Sequence, residues 1–457
     1  MALSAATVLE VRLGGGDTNG GGFVTGASGT DHSLQDAAQY AVADGVTAGT
    51  TTITSATANF GTDVVGNIMY VAGGTGSVVA GWYQIISRSN AATIVVDRST
   101  GLTAGTGVTL NIGGALKSPG MAGAIATVAG MRTFIKYNAS PYVATSASTN
   151  IAEGCVSGTS NTAYCGYDST RSLYNSDANR PTFQTNTGVS TARLMAGTNN
   201  AYSVQNMILD CNGQTAGICG FQSGEWFCVK AMGGLSGGLH QNSATAGRTI
   251  LCEITTCGAI PVGVTSNWFS VAHNNTGINA NCGAFNLING SAGFCYGCVA
   301  YGNDRSGFST GSGYVNCVAY DNTEYGFTTH NNGMGLMMNC IAEGNTLAGY
   351  RINTGSQTLY NCADYNNSTR HTITGGTVFG DVNPITLTGS PFTNAATGDF
   401  TINNTAGAGA DCRAVGFPAA FPPPISGTTN FRDIGAAQHQ DGGRMLRHPG
   451  MSGGMNG

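Results

Sequence analysis

Cys295-Tyr-Gly-Cys298 has the spacing at which two thiolates hold a zinc ion or exchange with a disulfide, and Cys252 and Cys257 form a looser pair. A zinc site would need a second such pair, or histidines at ligand spacing, and neither accompanies these four. The phrase around the cysteines also recurs. "YVNCVAYDNTEYGF" (314–327) is preceded by "YGCVAYGNDRSGF" (296–308) and followed by "MNCIAEGNTLAGY" (338–350) and "YNCADYNN" (360–367). A cysteine that returns with its neighbours is a repeated structural part, so no metal ligand and no cofactor is assigned. Cys155 and Cys165 stand outside the repeat, and whether they pair is left open.

Carboxylates are the other candidates. Cleaving a glycosidic bond takes two of them about 5–10 Å apart, and a lyase takes carboxylates on a cation with a Lys or Arg as base. Glu343 could approach Asp364 or Asp321 from a neighbouring repeat. The acids are spread singly, however, and Lys230, Arg248, Arg305 and Arg351 fall at unlike offsets within their repeats. No residue is therefore assigned a catalytic role, and the balance is against an enzyme.

What positions these residues is the repeat itself. With Cys317 as anchor, the equivalent positions are Met207, Cys228, Cys252, Ser270, Cys298, Cys340 and Cys362, at an average step near 22 residues. Five residues on lies an asparagine row: Asn212, Asn275, Asn303, Asn322, Asn345 and Asn367. Nine residues on, Gly307-Phe308, Gly326-Phe327 and Gly349-Tyr350 repeat a glycine before an aromatic ring. A period of this length, with short β-type runs and no Leu/Ala-rich amphipathic stretches, predicts a parallel β-helix, a solenoid in which each coil stacks on the last. Like positions then lie about 4.8 Å apart. The anchor cysteines, with Ala272, Ala300, Ala319 and Ala342 two places on, fit a narrow interior where a free thiol acts as a compact hydrophobe. The asparagines fit a turn, each amide bonding to those above and below.

Two further rows face outward on this reading. Three residues past the anchor come His273, Tyr301, Tyr320, Glu343 and Tyr365, a strip that could stack on sugar rings or simply cover the next coil. Directly after the anchor come Ile208, Val229, Val271, Val299, Val318 and Ile341. Strand alternation sends that apolar stripe outward, where it marks a subunit interface, with a trimer favoured. The alternative is a bulge that turns it inward, or a long loop laid over the face.

Composition agrees with an all-β chain. Only 9% of the 457 residues are charged, glycine numbers 71, and lysine is confined to Lys117, Lys136 and Lys230. A net charge of −5 offers no basic stripe for nucleic acid. No apolar run reaches the roughly 18 residues of a membrane span. The opening "MALSAATVLEVRLGGG" lacks the basic and apolar regions of a secretory leader, so folding in a reducing cytoplasm is expected, with the cysteines free.

The ends carry a resemblance. "VRLGGGDTNGGGFVTGASGTDHSLQDAAQYAV", with Asp17, Asn19 and Gly20 in the loop, resembles the opening of right-handed parallel β-helix proteins of tailed-phage virions and bacterial surfaces. There a strand and a Gly-Asp-Asn-Gly loop lead into a capping helix. Gly398-Asp399-Phe400 and Asp433-Ile434-Gly435-Ala436 resemble their closing strands, although "NNTAGAGA" replaces the usual Ser-Pro-Ala. The expected layout is an N-terminal strand, loop and short capping helix (1–45), an inserted β-rich domain (46–117), the β-helix (118–375), a closing segment (376–440) and a Gly/Met-rich tail (441–457). The resemblance implies a structural and binding role, as a virion fibre, spike or capsid-surface appendage. Its partners would be other virion proteins, further copies of itself and cell-surface polysaccharide. A polysaccharide depolymerase and a bacterial surface adhesin are the alternatives.

Overall fold

The computed structural model describes residues 3, 7–101, 103–125, 131–144, 162–174, 177–186, 193–196, 202–214, 217–221, 224–240, 247–280, 282–287, 293–329, 334–416 and 433–437. The chain is mostly β, with three long sheets of thirteen, eleven and nine strands, a closed six-stranded barrel, and one short α-helix among the described residues. It divides into two units, residues 1–186 with 194–208, and residues 187–193 with 209–457.

In the first unit, strand Thr7–Val11 pairs antiparallel with Gly22–Val24 and parallel with Arg132–Lys136, which pairs with Thr162–Tyr167. The solenoid therefore starts at residue 7, and the insertion interrupts it between its first two parallel strands. That insertion is the barrel, with strand order Tyr40–Thr47, Thr52–Thr54, Thr93–Val96, Gly81–Asn90, Ile68–Gly73 and Gly105–Ile112. Closure leaves no open edge to template another chain. Its interior is packed by Ile53, Tyr83, Ile85, Ile94, Leu110 and Ile112, among others.

The expected capping helix is absent among the described residues of 1–45. His32–Leu34 makes a single 3₁₀ turn, capped by Asp31, and the chain enters the barrel by Tyr40 rather than residue 46. The α-helix lies instead at Pro119–Ile125, where the Asp17 carboxylate accepts the backbone N–H groups of Lys117 and Ser118 at its entrance. The loop of Asp17 and Asn19 is a staple rather than a lead-in to a helix. Asn19 donates to the carbonyls of Asp36 and Ala115, both at 2.8 Å.

In the second unit, one coil runs through Gly313–Val315 in the thirteen-stranded sheet, Val318–Tyr320 in the eleven-stranded sheet and Tyr325–Thr329 in the nine-stranded sheet. These are called here the first, second and third sheets. Each strand pairs in parallel with its counterparts in neighbouring coils: Ala300 with Ala319 and Ala342 in the second sheet, Phe308 with Phe327 and Tyr350 in the third. Two corners of the coil use left-handed backbone. One precedes the second sheet, at Leu251, Phe269, Gly297, Asn316, Asn339 and Asn361; the other follows it, at Asn274, Gly302, Asp321, Gly344 and Asn366. Asn, Asp and Gly reach that conformation at least strain.

The interior is ordered in rows. Phe285, Phe308, Phe327 and Tyr350 stack with centroid spacings of 5.1, 4.8 and 5.4 Å and planes within 9°. Fully burying such a ring stabilises by about 1.5–3 kcal/mol. Cys252, Cys298, Cys317, Cys340 and Cys362 are completely buried, and the last four thiols meet one another in sequence up the stack. Burial pushes the Cys317 and Cys362 thiols well above the ordinary range, which keeps them protonated and unreactive. Every described cysteine is free and Cys282 alone among them is not buried, while Cys155 lies outside the described residues. In native protein, iodoacetamide should therefore modify Cys282 while the buried row resists by at least about 100-fold until denaturant is added, as followed by peptide mass spectrometry. Rapid native labelling of Cys317 would contradict this packing.

Candidate functional site

The asparagine row is a continuous hydrogen-bonded ladder from Asn275 to Asn367. The side-chain amide of Asn275 donates to Asn303 Oδ1 at 2.9 Å, Asn303 to Asn322 at 2.8 Å, Asn322 to Asn345 at 2.9 Å and Asn345 to Asn367 at 2.9 Å. Each Oδ1 also accepts the backbone N–H of the asparagine one coil earlier. Asn212 does not belong to it. That residue sits exposed at φ 50°, its N–H bonded to Asp210. Cys228 is likewise displaced from the cysteine row. Lys230 registers with Glu253, so Val229 takes the inward position beside Cys252, and Cys228 occupies the left-handed corner at φ 52°.

On the outer face of the second sheet, His273, Tyr301, Tyr320, Glu343 and Tyr365 lie in register on successive rungs. His273 stacks on Tyr301 at 4.8 Å with planes 3° apart. The strip is partly covered, with Glu343 buried and the four rings half-buried. The closing segment lies over it: Phe400 packs on Tyr301 and Tyr320, Phe392 on Tyr320, and Ser390 Oγ donates to Glu343 Oε2 at 3.0 Å. The aliphatic stripe is covered as well. Val271, Val299, Val318 and Ile341 form one buried cluster with Leu387, Phe392, Phe400, Ile402, Cys412 and Ile434. The stripe does face outward there, but the chain's own C-terminal segment occupies it, so it is not available to a subunit. Val229 points inward, and Ile208 is half-buried.

The carboxylates are committed to local partners. Glu253 is held by Lys230 Nζ at 2.9 Å and His273 Nε2 at 3.2 Å. Burial acts to raise its pKa, but the bond from His273 and the charge of Lys230 outweigh that and hold it at about 2. Glu225 pairs with Arg248, Glu324 with Arg305, and Asp381 with Arg370 at 3.0 Å and His371 at 3.1 Å. Glu343 approaches neither Asp364 nor Asp321. Asp364 is in register with inward-facing Ala342 and bonds to Asn367 at 2.7 Å, while Asp321 turns an exposed corner. Among the described residues no three His, Cys, Asp or Glu side chains converge to hold a metal ion, and no helix is long and apolar enough to cross a membrane.

The face that sequence reasoning missed is the outer side of the first sheet. Phe227, Ile250, Trp268, Tyr296, Val315, Met338 and Tyr360 are in register over seven rungs. Their neighbours Trp226, Thr249, Asn267, Cys295, Tyr314, Met337 and Leu359 point inward and are buried, so alternation turns the apolar row out. Trp268 contacts Phe294 at 5.8 Å and Tyr296 at 5.7 Å, and Phe269 meets Tyr296 edge-on at 5.5 Å. Phe227, Trp268, Phe269 and Phe294 are half-buried, Tyr296 and Val315 in the same row are buried, and the exposed Arg248 guanidinium flanks the group. The signal was present two residues before Cys252, Ser270, Cys298, Cys317, Cys340 and Cys362, whereas the repeat was read only from the anchor onward.

No protein-family model and no curated protein matches the sequence. Among solved structures, the chain is similar to pectate lyase Pel9A (13% identity, TM-score 0.35, 69% of this chain and 90% of that one). It is also similar to the catalytic domain of a GH87 α-1,3-glucanase in complex with tetrasaccharides (9%, 0.23, 76% and 90%). A third is the tailspike protein gp49 from Pseudomonas phage LKA1 (10%, 0.19, 86% and 70%). The likeness is one of fold, a parallel β-helix.

Proposed function

We propose that the protein is a non-enzymatic structural and binding protein, a β-helical fibre, spike or capsid-surface appendage of a virion, that meets a host glycan through the outer face of its first sheet. The observation that carries this reading is the cluster of half-buried rings on the outer face of the first sheet, Phe227, Trp268, Phe269 and Phe294, with the exposed Arg248 beside it. Planar rings set on rigid rungs stack on the apolar faces of sugar rings, and ordering them adds little entropic cost. In the second-sheet strip Tyr301, Tyr320 and Glu343 are already engaged by the closing segment, and Glu253 and Glu343, the acids a depolymerase would draw on there, are paired or covered.

Trp268→Ala should weaken binding to capsular or cell-wall polysaccharide by about 10-fold or more, the usual effect of truncating a central aromatic anchor, while the melting temperature changes little. Isothermal titration against a polysaccharide panel reads the affinity. Binding indifferent to Trp268 would overturn the site. New reducing ends or an unsaturated product would favour the depolymerase. If light scattering finds a trimer whose assembly Trp268→Ala disrupts, the stripe is a subunit interface instead.

A further inference from the structure

We propose that residues 387–412 form a pH-operated strap: Glu343, buried beneath it, lets the strap close on the second sheet in acid and loosens it as the solution turns alkaline, uncovering Tyr301, Tyr320 and Tyr365. The geometry is that of a carboxyl enclosed without a counter-charge. Glu343 is 6% exposed, on the outer face of its strand, between Tyr320 and Tyr365 on the adjacent rungs. From the strap it receives one hydrogen bond, from Ser390 Oγ at 3.0 Å. The groups around it are the Tyr320 and Tyr365 rings, the exposed Asp321 at the corner after Tyr320, and Ser390 from the strap. No cation acts on it among the described residues. The remaining charges along the strip are already paired, since Glu253 is held ionised by His273 and Lys230.

The rest of the strap is built to stay nearby when this contact fails. Phe392, Phe400 and Ile402 pack on Val299, Val318 and Ile341, and the strap folds on itself through Thr388 N–H to Gly407 O and Asn403 N–H to Pro391 O. Burial raises the Glu343 carboxyl from 4.5 to about 7 against the opposing bond from Ser390. Closed, the strap therefore favours the protonated acid; open, the acid ionises at its ordinary value. Between those two values the closed form holds the extra proton, so closure weakens as pH rises through the window and is weakest above about 7. The interval allows a change in the closed-to-open ratio of about 10- to 100-fold.

Hydrogen exchange of the full chain, expressed as protection factors so that intrinsic exchange is removed, tests this at pH 5.5 and 8.5. Protection of amides in 387–412 should fall by about 10- to 100-fold at the higher pH, with that of 318–329 unchanged. Glu343→Gln should abolish the difference, and Ser390→Ala, which removes the bond favouring the carboxylate, should move the midpoint upward. If Glu343→Gln does not fold, the Ser390→Ala midpoint carries the test. Equal protection at both pH values, a Gln variant as pH-dependent as the parent, or parallel loss in 318–329 would overturn the strap.

Discussion

Asn322→Ala should destabilise the protein by about 3–5 kcal/mol, whereas Asn212→Ala should fall within about 1 kcal/mol of the parent. The two asparagines share one position in the sequence period and differ entirely in surroundings. Asn322 is 1% exposed, and its amide donates to Asn345 Oδ1 at 2.9 Å and to Ala300 O at 3.2 Å. Its Oδ1 accepts both the side-chain and backbone N–H of Asn303. Alanine leaves the Asn303 donors and the Ala300 carbonyl unsatisfied in a dry interior, each a loss of about 1–3 kcal/mol. Asn345 suffers less, because its Oδ1 still accepts the backbone N–H of residue 322. Solenoid stability is close to a sum of nearest-neighbour terms, so the damage should concentrate in the coils on either side. Urea denaturation gives the total, and hydrogen exchange of strands 299–301, 318–320 and 341–343 gives its location. A loss below 1 kcal/mol at Asn322 would mean that the ladder contributes shape rather than stability.

The contrast between these asparagines also shows what a single sequence makes legible. The repeated phrase spells out a strand of the second sheet with its flanks, because every coil must present a small inward group, a small inward partner two residues on, and an amide at the next bend. Coils that obey all three, those of Cys298, Cys317 and Cys340, are read correctly down to register. Where a coil departs, the residue type misleads. Cys228 looks like a rung, yet the strand phase puts Val229 inside and Cys228 on the left-handed corner, an uncommon conformation for a non-glycine side chain. A second amide ladder went unread although it stands next to the cysteines. Asn339 donates to Asn316, and Asn383 to Asn361, both at 3.2 Å.

The outer faces were harder, and for a different reason. Alternation assigns Val299, Val318 and Ile341 to the outside of their sheet, and that is where they are. What covers them is decided by Phe392, Phe400 and Ile434, at separations of some 50 to 135 residues, and no local pattern announces a contact so distant. An apolar outward row therefore poses the question of its cover without answering it. The answer here is intramolecular, a cover supplied by the chain's own closing segment. The start of the barrel at Tyr40 was missed on similar grounds, since "SLQDAAQYAV" has helical composition but its last three residues, Tyr40–Val42, are drawn into a strand by pairing with Gly105–Ile112.

Arg171→Ala is expected to destabilise the first unit by about 3–5 kcal/mol, the range for removing one partner from a buried charge cluster. Glu10 is 0% exposed and would be untenable alone; Arg171 Nε reaches its Oε2 at 2.8 Å, Arg12 Nε its Oε1 at 2.8 Å, and the Tyr167 hydroxyl donates to Oε1. The same guanidinium spans to Asp31 Oδ2 at 2.6 Å and Ser33 Oγ at 2.9 Å, tying the 3₁₀ turn to strand Thr7–Val11. Burial raises the Glu10 carboxyl, with Arg171 the leading influence against it, ahead of Tyr167 and Arg12. Without Arg171 the folded-state pKa of Glu10 rises further, so the folded form of the variant takes up a proton over a wider range above the unfolded value. Its stability should then decline with rising pH more steeply than the parent's, and the deficit should be smaller at pH 5 than at pH 8. Arg171→Lys keeps the charge but not the three-way fork, and should recover only part of the loss. Pairing Arg171→Met with Glu10→Gln removes both charges and should restore most of it. Thermal melts across pH 5–8 distinguish this from a packing defect, which would produce a pH-independent deficit that the double substitution fails to repair.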